Sequence, residues 1–437
     1  MSSNLSVLPQ TQSAAQAVQQ VQSGQHIYLT GNCAVPRLLL QALIDRAVEL
    51  DQVELIHPLV ITQLDYLNPR LAGHLRANTL FISPNVRQAV NEGRADFTPI
   101  ALSQLPLLFK RGVMRADFAF LHCSMPDSEG FCTLGTEAGI TQTIAESARY
   151  RFAEINPQMP RTFGDSRIHV NQLDAIIAAD YPLAELPVSE DSTSLIAEQI
   201  ARHIADRIPD GATLQIGFGS IPNALYQFLG GKKDLGIHSE LISDGIIDLV
   251  ESGIITGSQK SLHSGKIVAG FAMGTRRLYH WLDQNPLVEL YRTEYINHPF
   301  TISQNANMVA VNSALEIDLT GQVCADSIGT RLFSGIGGQF DFIYGASLSE
   351  GGMPVIALPS TFIGRDGKMN SRIVPTLKIG AGVTTSRNYV HYVTTEYGMV
   401  DLFGKSICQR AALLTAIAHP AFRDDLKAQA RSLHYLE

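Results

Sequence analysis

Short apolar stretches alternate along the chain with longer stretches in which apolar residues recur every three or four positions. An example is "HIYLTG" at 26–31, followed by "PRLLLQALIDRAVEL" at 36–50. A strand followed by a helix, repeated along a chain, is typical of sheets with mostly parallel strands, so we predict an α/β fold. Residues 182–194, rich in Pro, Ser and acids, interrupt the pattern and predict two domains, 1–188 and 189–437.

The two halves of the chain also resemble each other. In each, a strand pattern ends at a Gly and a helix pattern follows with Pro near its start, at Gly31 and Pro36 and again at Gly217 and Pro222. Three pairs of segments match in the same order. They are 27–43 with 214–229, 79–93 with 239–253 and, only with a gap, 122–132 with 312–324. Matches in a common order predict two related domains.

The second matched pair places Leu80 opposite Glu240. The same local fold therefore accepts an apolar residue in one half and a carboxylate in the other. A charge near the carboxyl end of a strand is costly unless it is hydrogen-bonded or faces a crevice, and such crevices are where α/β proteins bind ligands. Glu240 is thus either a functional carboxylate or a solvated surface residue.

Composition and charge exclude several classes of function. The chain has 437 residues, 45% hydrophobic and 17% charged, which is enough for sizeable cores. Its net charge of −8 comes without a long basic or acidic block, so we expect no nucleic-acid or membrane partner. No apolar run approaches the roughly 20 residues of a membrane helix, and residues 10–24 lack a signal-peptide core, which favours a cytoplasmic protein. The five cysteines are dispersed without CxxC, and HExxH is absent, so we assign no metal and no disulfide framework.

Residues 215–222, "QIGFGSIP", join a strand end, a Gly turn and a helix start. Free backbone N–H groups and the helix dipole can bind a phosphate or an oxyanion at such a place. The stretch is not a full dinucleotide fingerprint, because Pro222 stands where GxGxxG needs its third Gly, so a dinucleotide-dependent oxidoreductase is a poor alternative. A plain tight turn between strand and helix is the other interpretation.

Two further stretches carry candidate site residues. Residues 334–342, "SGIGGQFDF", bring three glycines together, which suits a backbone that approaches a ligand closely. Residues 394–406, "TTEYGMVDLFGKS", contain Glu396 and Asp401, and two carboxylates can do acid and base work or can simply cap a loop. The absence of a GxSxG elbow counts against a serine hydrolase.

Several of these stretches together resemble a known family. "GFGSIPNAL", "HSELISDGIIDLVESG", "SGIGGQFDFIYGASLSEGG" and "TTEYGMVDLFGKS", with "INPQMPRTFGDSRIHV" in the first half, are similar to the acetyl-CoA hydrolase/transferase family. The likeness is strongest to its short members, the 4-hydroxybutyrate and butyrate CoA-transferases, and runs from about residue 10 to the C-terminus. It implies two tandem related domains of the CoA-transferase fold. It also implies no tightly bound cofactor, since CoA and acyl-CoA are substrates.

The resemblance implies roles for individual residues. A Ser-Glu pair before Ser-Asp-Gly makes Glu240 the carboxylate that is acylated and then carries CoA as a thioester. Asn297, in "EYINHP", is implied in oxyanion stabilisation, and Glu396, in "TEYG", in orienting the nucleophile. The expected CoA contacts are Gln215, Ile216, Gly217, Phe218, Gly219, Leu315, Gly335, Gly337 and Gly338.

The chain departs from the family pattern at two positions. Cys324 stands where the family often has Asn, and Glu350 stands where it often has Lys. The second change removes a cation that suits CoA. Basic residues that could replace it, or equally be solvated surface charges, are Arg276, Arg277, Lys260 and Lys266.

The resemblance predicts a CoA-transferase with ping-pong kinetics. It would move CoA from an acyl-CoA, expected to be acetyl-CoA, to a short-chain carboxylic acid such as 4-hydroxybutyrate or butyrate. An acyl-CoA hydrolase of the same family, in which water resolves the intermediate, is the first alternative. A non-catalytic acyl-CoA-binding or sugar-phosphate-sensing module is the alternative from another class. The oligomeric state is open, with a homo-oligomer as one option.

Overall fold

The computed structural model describes residues 10–186 and 194–437. The strands are β1 (His26–Leu29), β2 (Val53–His57), β3 (Leu75–Thr79), β4 (Asp96–Phe97), β5 (Phe118–Cys123), β6 (Phe131–Thr133), β7 (Tyr150–Ile155), β8 (Phe163–Gly164), β9 (Arg167–His169), β10 (Ala175–Ala178), β11 (Thr213–Ile216), β12 (Gly236–Ile242), β13 (Ile267–Ala272), β14 (Val288–Leu290), β15 (Met308–Ser313), β16 (Glu316–Asp318), β17 (Val323–Cys324), β18 (Ser327–Ile328), β19 (Arg331–Leu332), β20 (Met353–Ala357), β21 (Thr361–Ile363), β22 (Met369–Ser371), β23 (Ile373–Val374), β24 (Tyr392–Thr395) and β25 (Gly398–Asp401). The α-helices are α1 (Ala14–Val18), α2 (Arg37–Arg46), α3 (Arg87–Asn91), α4 (Leu105–Lys110), α5 (Thr141–Ser147), α6 (Leu195–Ala205), α7 (Ser220–Gln227), α8 (Ile247–Glu251), α9 (Arg276–Leu282), α10 (Thr293–Ile296), α11 (Pro299–Ser303), α12 (Gln339–Leu348), α13 (Ile407–Ala416) and α14 (Pro420–Ser432).

The chain forms two compact units. Unit 1 comprises the described residues up to 186 together with 241–244 and 268–296, and unit 2 comprises the remaining residues from 194 onward. The predicted domain boundary at 188/189 lies outside the described residues.

Unit 1 contains a seven-stranded sheet in the order β10-β7-β5-β1-β2-β3-β4, in which every neighbouring pair is parallel. All six residues of β5, "FAFLHC", are buried, as expected for a strand covered on both faces. The rings of Phe118 and Phe120 on β5 pack against Phe152 on β7. The amphipathic α2 buries one face, which includes Leu39 and Leu43.

Unit 2 contains strands in the order β25-β24-β20-β15-β11-β12. The pairs from β24 to β12 are parallel, and β24 and β25 form an antiparallel hairpin. Helix α6 begins where the Ser194 hydroxyl accepts the Ala197 N–H at 3.2 Å, and its buried face includes Ile200 and Ile204, which are four residues apart. The predicted α/β class with mostly parallel sheets is confirmed.

Local structure repeats between the two units. Helices α3 and α8 are separated by the same offset as the matched segments 79–93 and 239–253. In the third matched pair, the carboxylate of Asp127 accepts from the backbone N–H groups two and four residues further on, at 3.0 and 2.8 Å. Asp318 does the same, at 2.9 Å in both cases. The gapped match therefore marks the same turn in both units, and the two domains are related.

The units differ by one strand of the sheet. In unit 1, β2 lies between β1 and β3, whereas in unit 2 the corresponding strands β11 and β12 are direct neighbours. Among the helices that the structure describes, none is both long and apolar enough to span a bilayer.

Candidate active site

The candidate residues of unit 2 gather at the carboxyl ends of its parallel strands. Glu240 lies near the end of β12, the Gly turn 217–219 follows β11, and Leu315 follows β15. Since parallel strands end at one edge of a sheet, these side chains share that edge. The expectation that Glu240 lies near a strand's carboxyl end is therefore confirmed.

Glu240 is half-buried and pairs with Asn297. The Asn297 Nδ2 donates a hydrogen bond to the Glu240 Oε2 at 3.1 Å. Asn297 is fully buried, in the short connection between α10 and α11, and its Oδ1 has no hydrogen-bond partner among the residues that the structure describes. A buried amide that donates to a carboxylate is a charge-assisted hydrogen bond, which is stronger than a neutral one. Asn297 therefore fixes the Glu240 carboxylate.

The backbone of Gly338 lies against the same carboxylate. A Cβ atom at this residue would stand 1.8 Å from the Glu240 Oε2 and 2.3 Å from the Asn297 Nδ2, so no side chain fits there. Gly338 also directly precedes α12, as its N-cap residue, and no side chain caps the first turn of that helix. The positive end of the helix dipole therefore faces the Glu240 carboxylate.

The turn after β11 presents backbone to the same edge. A Cβ at Gly217 would meet only the Val311 carbonyl, at 3.8 Å. Gly219 has φ 134° and directly precedes α7, which has no side-chain cap, while Phe218 is 41% exposed. Free N–H groups at a helix start can bind a phosphate or carboxylate. Binding of an anionic group of CoA at this turn stays a prediction.

Two further residues support this edge. The buried Gln215 accepts a hydrogen bond from the Asn312 amide at 3.0 Å, at the ends of β11 and β15. The backbone of the half-buried Leu315 is held on both sides, because its N–H donates to the Cys324 carbonyl at 2.9 Å and its carbonyl accepts from Arg372 at 2.8 Å. Asn312 was not among the residues predicted from the sequence, although it opens the "NSAL" segment.

Glu396 lies at another place along the sheet. Its carboxylate accepts from the backbone N–H of Ser360 at 2.9 Å and from the Ser360 hydroxyl, and its carbonyl accepts from His203 at 3.3 Å. Between β24 and β12 there are four strand spacings of about 4.8 Å, or roughly 19 Å across a flat sheet. These bonds hold the loop after β20, and an orienting role towards Glu240 stays a prediction.

The two departures from the family pattern lie in different surroundings. The Cys324 thiol is buried against the Ser327 carbonyl, at 3.1 Å, and burial raises the pKa of this thiol. Glu350 follows the end of α12, a ten-residue helix about 15 Å long, and its carbonyl accepts the Asn307 N–H, just before β15 begins. Glu350 is therefore at the edge of the sheet opposite to Glu240.

Lys260 does not replace the missing cation. It is only 5% exposed, and its ammonium donates to the carbonyls of Ile237 and Lys266, both at 2.8 Å. The hypothesis that it could bind CoA is wrong, because its charge is used inside the fold.

Comparison with known proteins identifies the family. A model of the acetyl-CoA hydrolase/transferase N-terminal domain matches residues 8–187, and a model of the C-terminal domain matches residues 274–430. The chain belongs to the acetyl-CoA hydrolase/transferase family. The resemblance seen in its motifs is thus confirmed.

Three similar proteins that match along most of their own length are named as CoA-transferases. The 4-hydroxybutyrate coenzyme A transferase of Clostridium kluyveri is 45% identical over 94% of this chain and 95% of its own length. The succinyl-CoA:acetate/propanoyl-CoA:succinate CoA transferase of Fasciola hepatica is 42% identical over 94% of this chain and 85% of its own. The crystal structure of the 4-hydroxybutyrate CoA-transferase of Porphyromonas gingivalis is similar with a TM-score of 0.83 and 36% identity, covering 97% of both chains.

Proposed function

We propose that this family member is a CoA-transferase whose covalent nucleophile is Glu240. The observation that carries the proposal is the contact among the Glu240 carboxylate, the Asn297 amide and the backbone of Gly338. A nucleophilic carboxylate needs hydrogen-bond donors beside it for the oxyanions that form on the attacked carbonyls. The Asn297 amide and the N–H groups at the start of α12 are such donors.

The reaction runs in two halves. In the first, a Glu240 oxygen attacks the thioester carbonyl and forms a C–O bond, the C–S bond breaks, and CoA leaves as a thiolate, which leaves an acyl-glutamyl anhydride. The thiolate then attacks the glutamyl carbonyl and releases the first acid as a carboxylate, which leaves a glutamyl-CoA thioester. In the second half the acceptor carboxylate attacks this thioester, and the same two steps run in reverse to give the new acyl-CoA and free Glu240.

The substrates follow from the chemistry and from the relatives. One thioester is exchanged for another, so no ATP is needed. We expect acetyl-CoA as donor and a short-chain acid, such as 4-hydroxybutyrate or butyrate, as acceptor. The turn 217–219 and the Leu315 segment are the expected places of CoA contact. Choosing among acids that differ by one methylene rests on about 1–3 kcal/mol of pocket contact.

The test is CoA transfer from acetyl-CoA with a panel of acids, measured for the wild type, Glu240→Gln and Glu240→Ala. We expect acid-dependent formation of a new acyl-CoA by the wild type and none by Glu240→Ala. The Ala variant is included beside Gln because slow deamidation of Gln would restore Glu. The control is Glu251→Gln, which changes an exposed acid on α8 and should transfer CoA at the wild-type rate.

Trapping the intermediate separates the alternatives. After incubation with acetyl-CoA, hydroxylamine or borohydride should modify the peptide that contains Glu240, as seen by mass spectrometry. A turnover rate indifferent to the acid would favour the hydrolase, and binding of acyl-CoA without a modified peptide would favour a non-catalytic module. Full activity of Glu240→Ala would refute the assignment of the nucleophile.

A further inference from the structure

Gln339 is a polar side chain buried next to the residue that touches Glu240. It directly follows Gly338, is the first residue of α12 and is 8% exposed. Its Nε2 donates to the Ser313 carbonyl at 2.6 Å, and its Oε1 accepts from the Thr385 hydroxyl at 3.1 Å. Both the nitrogen and the oxygen of the side-chain amide are therefore hydrogen-bonded. A buried polar group satisfied in this way holds its neighbours in one arrangement.

One partner of Gln339 lies in the segment that carries Leu315, and the other pairs with a strand next to it. Ser313 ends β15, two residues before Leu315. Thr385 pairs through its backbone with Val323, whose N–H donates to the Thr385 carbonyl at 3.1 Å. Val323 belongs to the short strand β17, which pairs with β16 next to Leu315. One side chain thus connects the start of α12 with a predicted CoA contact.

We propose that Gln339 is a positioning residue for the reaction at Glu240. The Glu240 carboxylate lies so close to Gly338 that not even a Cβ fits between them. A shift of the first turn of α12 would therefore displace the carboxylate, and it would change the distance to any oxyanion that the turn stabilises. Gln339 prevents that shift by holding the turn to Ser313 and Thr385. This inference rests on the proposed function of Glu240.

The experiment compares Gln339→Met, which keeps a similar length and removes both hydrogen bonds, with Gln227→Met. Gln227 is exposed near the end of α7 and serves as the matched control. Because a misplacement of about 1 Å can cost roughly 100-fold in rate, we expect kcat of Gln339→Met to fall about tenfold or more. KM for acetyl-CoA should change much less, and the rate of covalent labelling of Glu240 should fall with kcat. The control should keep wild-type values.

A second pair of variants covers the case in which Gln339→Met does not fold. Thr385→Val removes one of the two hydrogen bonds, while Thr385→Ser keeps the hydroxyl. We expect a lower kcat for Val and rescue by Ser. The positioning role would be overturned if Thr385→Val and Thr385→Ser both kept the wild-type kcat. It would also be overturned if a folded Gln339→Met variant kept the wild-type kcat. A wild-type rate indifferent to the acid would refute only the transferase, because labelling of Glu240 by acyl-CoA would still report on Gln339.

Discussion

Replacing Gly338 by Ala tests the geometry around Glu240 most directly. The added Cβ would lie 1.8 Å from the Glu240 Oε2, whereas non-bonded atoms settle at about 3.5 Å, so one of the two must withdraw by more than about 1 Å. The added Cβ would also stand 2.3 Å from the Asn297 Nδ2, so the hydrogen bond that fixes the carboxylate is strained as well. A misplacement of this size costs roughly 100-fold in rate, or about 2.7 kcal/mol of transition-state stabilisation.

The assay is kcat/KM for CoA transfer, together with trapping of the Glu240 intermediate and a thermal unfolding curve. We expect kcat/KM of Gly338→Ala to fall about 100-fold or more, with less trapped intermediate and a folded protein. Gly230→Ala is the matched control, because a Cβ at Gly230 meets no atom within 4 Å. If the folded Gly338→Ala variant kept kcat/KM within about threefold of the wild type, the carboxylate would not be the reacting group at this contact.

Three further predictions concern other parts of the chain. Asn297→Ala removes the amide that donates to Glu240, and we expect kcat to fall roughly 100-fold, as when an oxyanion donor is lost; steady-state rates near the wild type would contradict this. Glu350→Lys introduces the residue often found in the family, yet KM for acetyl-CoA should change by less than about twofold, because position 350 lies beyond the far end of α12; a large fall in KM would show that CoA reaches that edge. Burial raises the pKa of Glu154 from 4.5 to about 7, so the folded protein keeps a proton that the unfolded chain releases, and stability falls as pH rises through this window. The Tm of Glu154→Gln minus that of the wild type should therefore rise between pH 5 and pH 7.5. A Tm difference that stays constant over this range would contradict the raised pKa of Glu154.

The fold was predictable wherever local pattern decides it. The strand, Gly turn and helix at Gly217 and Pro222 are visible in the sequence, because turn chemistry and apolar periodicity act over a few residues. The sequence did not predict that β2 lies between β1 and β3 in unit 1 while no strand separates β11 from β12 in unit 2. Strand order depends on long-range pairing, and so does the assignment of residues 241–244 and 268–296 to unit 1.

The candidate site was predictable only in part, for the same reason. Glu240 is singled out by the repeat, since its counterpart is apolar. Asn297 lies 57 residues further along the chain, and no spacing rule places its amide on Glu240, so only the family resemblance indicated it. The position of Glu350 depends on the length and direction of α12, which are properties of the folded unit. Its effect on CoA therefore could not be judged from residue type.

The two units also differ at the start of the helix that follows the first Gly turn, where, among the residues that the structure describes, only unit 1 has a carboxylate that accepts from a backbone N–H group. In unit 1 the Glu154 carboxylate accepts the Leu39 N–H at 2.7 Å in the first turn of α2, and it accepts from the Tyr181 hydroxyl as well. Strand register places Glu154 beside His122. In unit 2 the residue beside Asn312, which matches His122, is Ile356.

An internal carboxylate thus occupies the helix start in unit 1, while the corresponding position in unit 2 carries a buried apolar side chain. The carboxylate of unit 2 stands instead at Glu240, opposite the buried Leu80 of unit 1. Each unit therefore has an acid at a position where the other unit has a buried apolar residue. In unit 1 the acid accepts hydrogen bonds at the start of α2, whereas in unit 2 the acid lies beside Asn297 and Gly338. This difference is what we expect if unit 2 carries the chemistry that we propose for Glu240 and unit 1 does not.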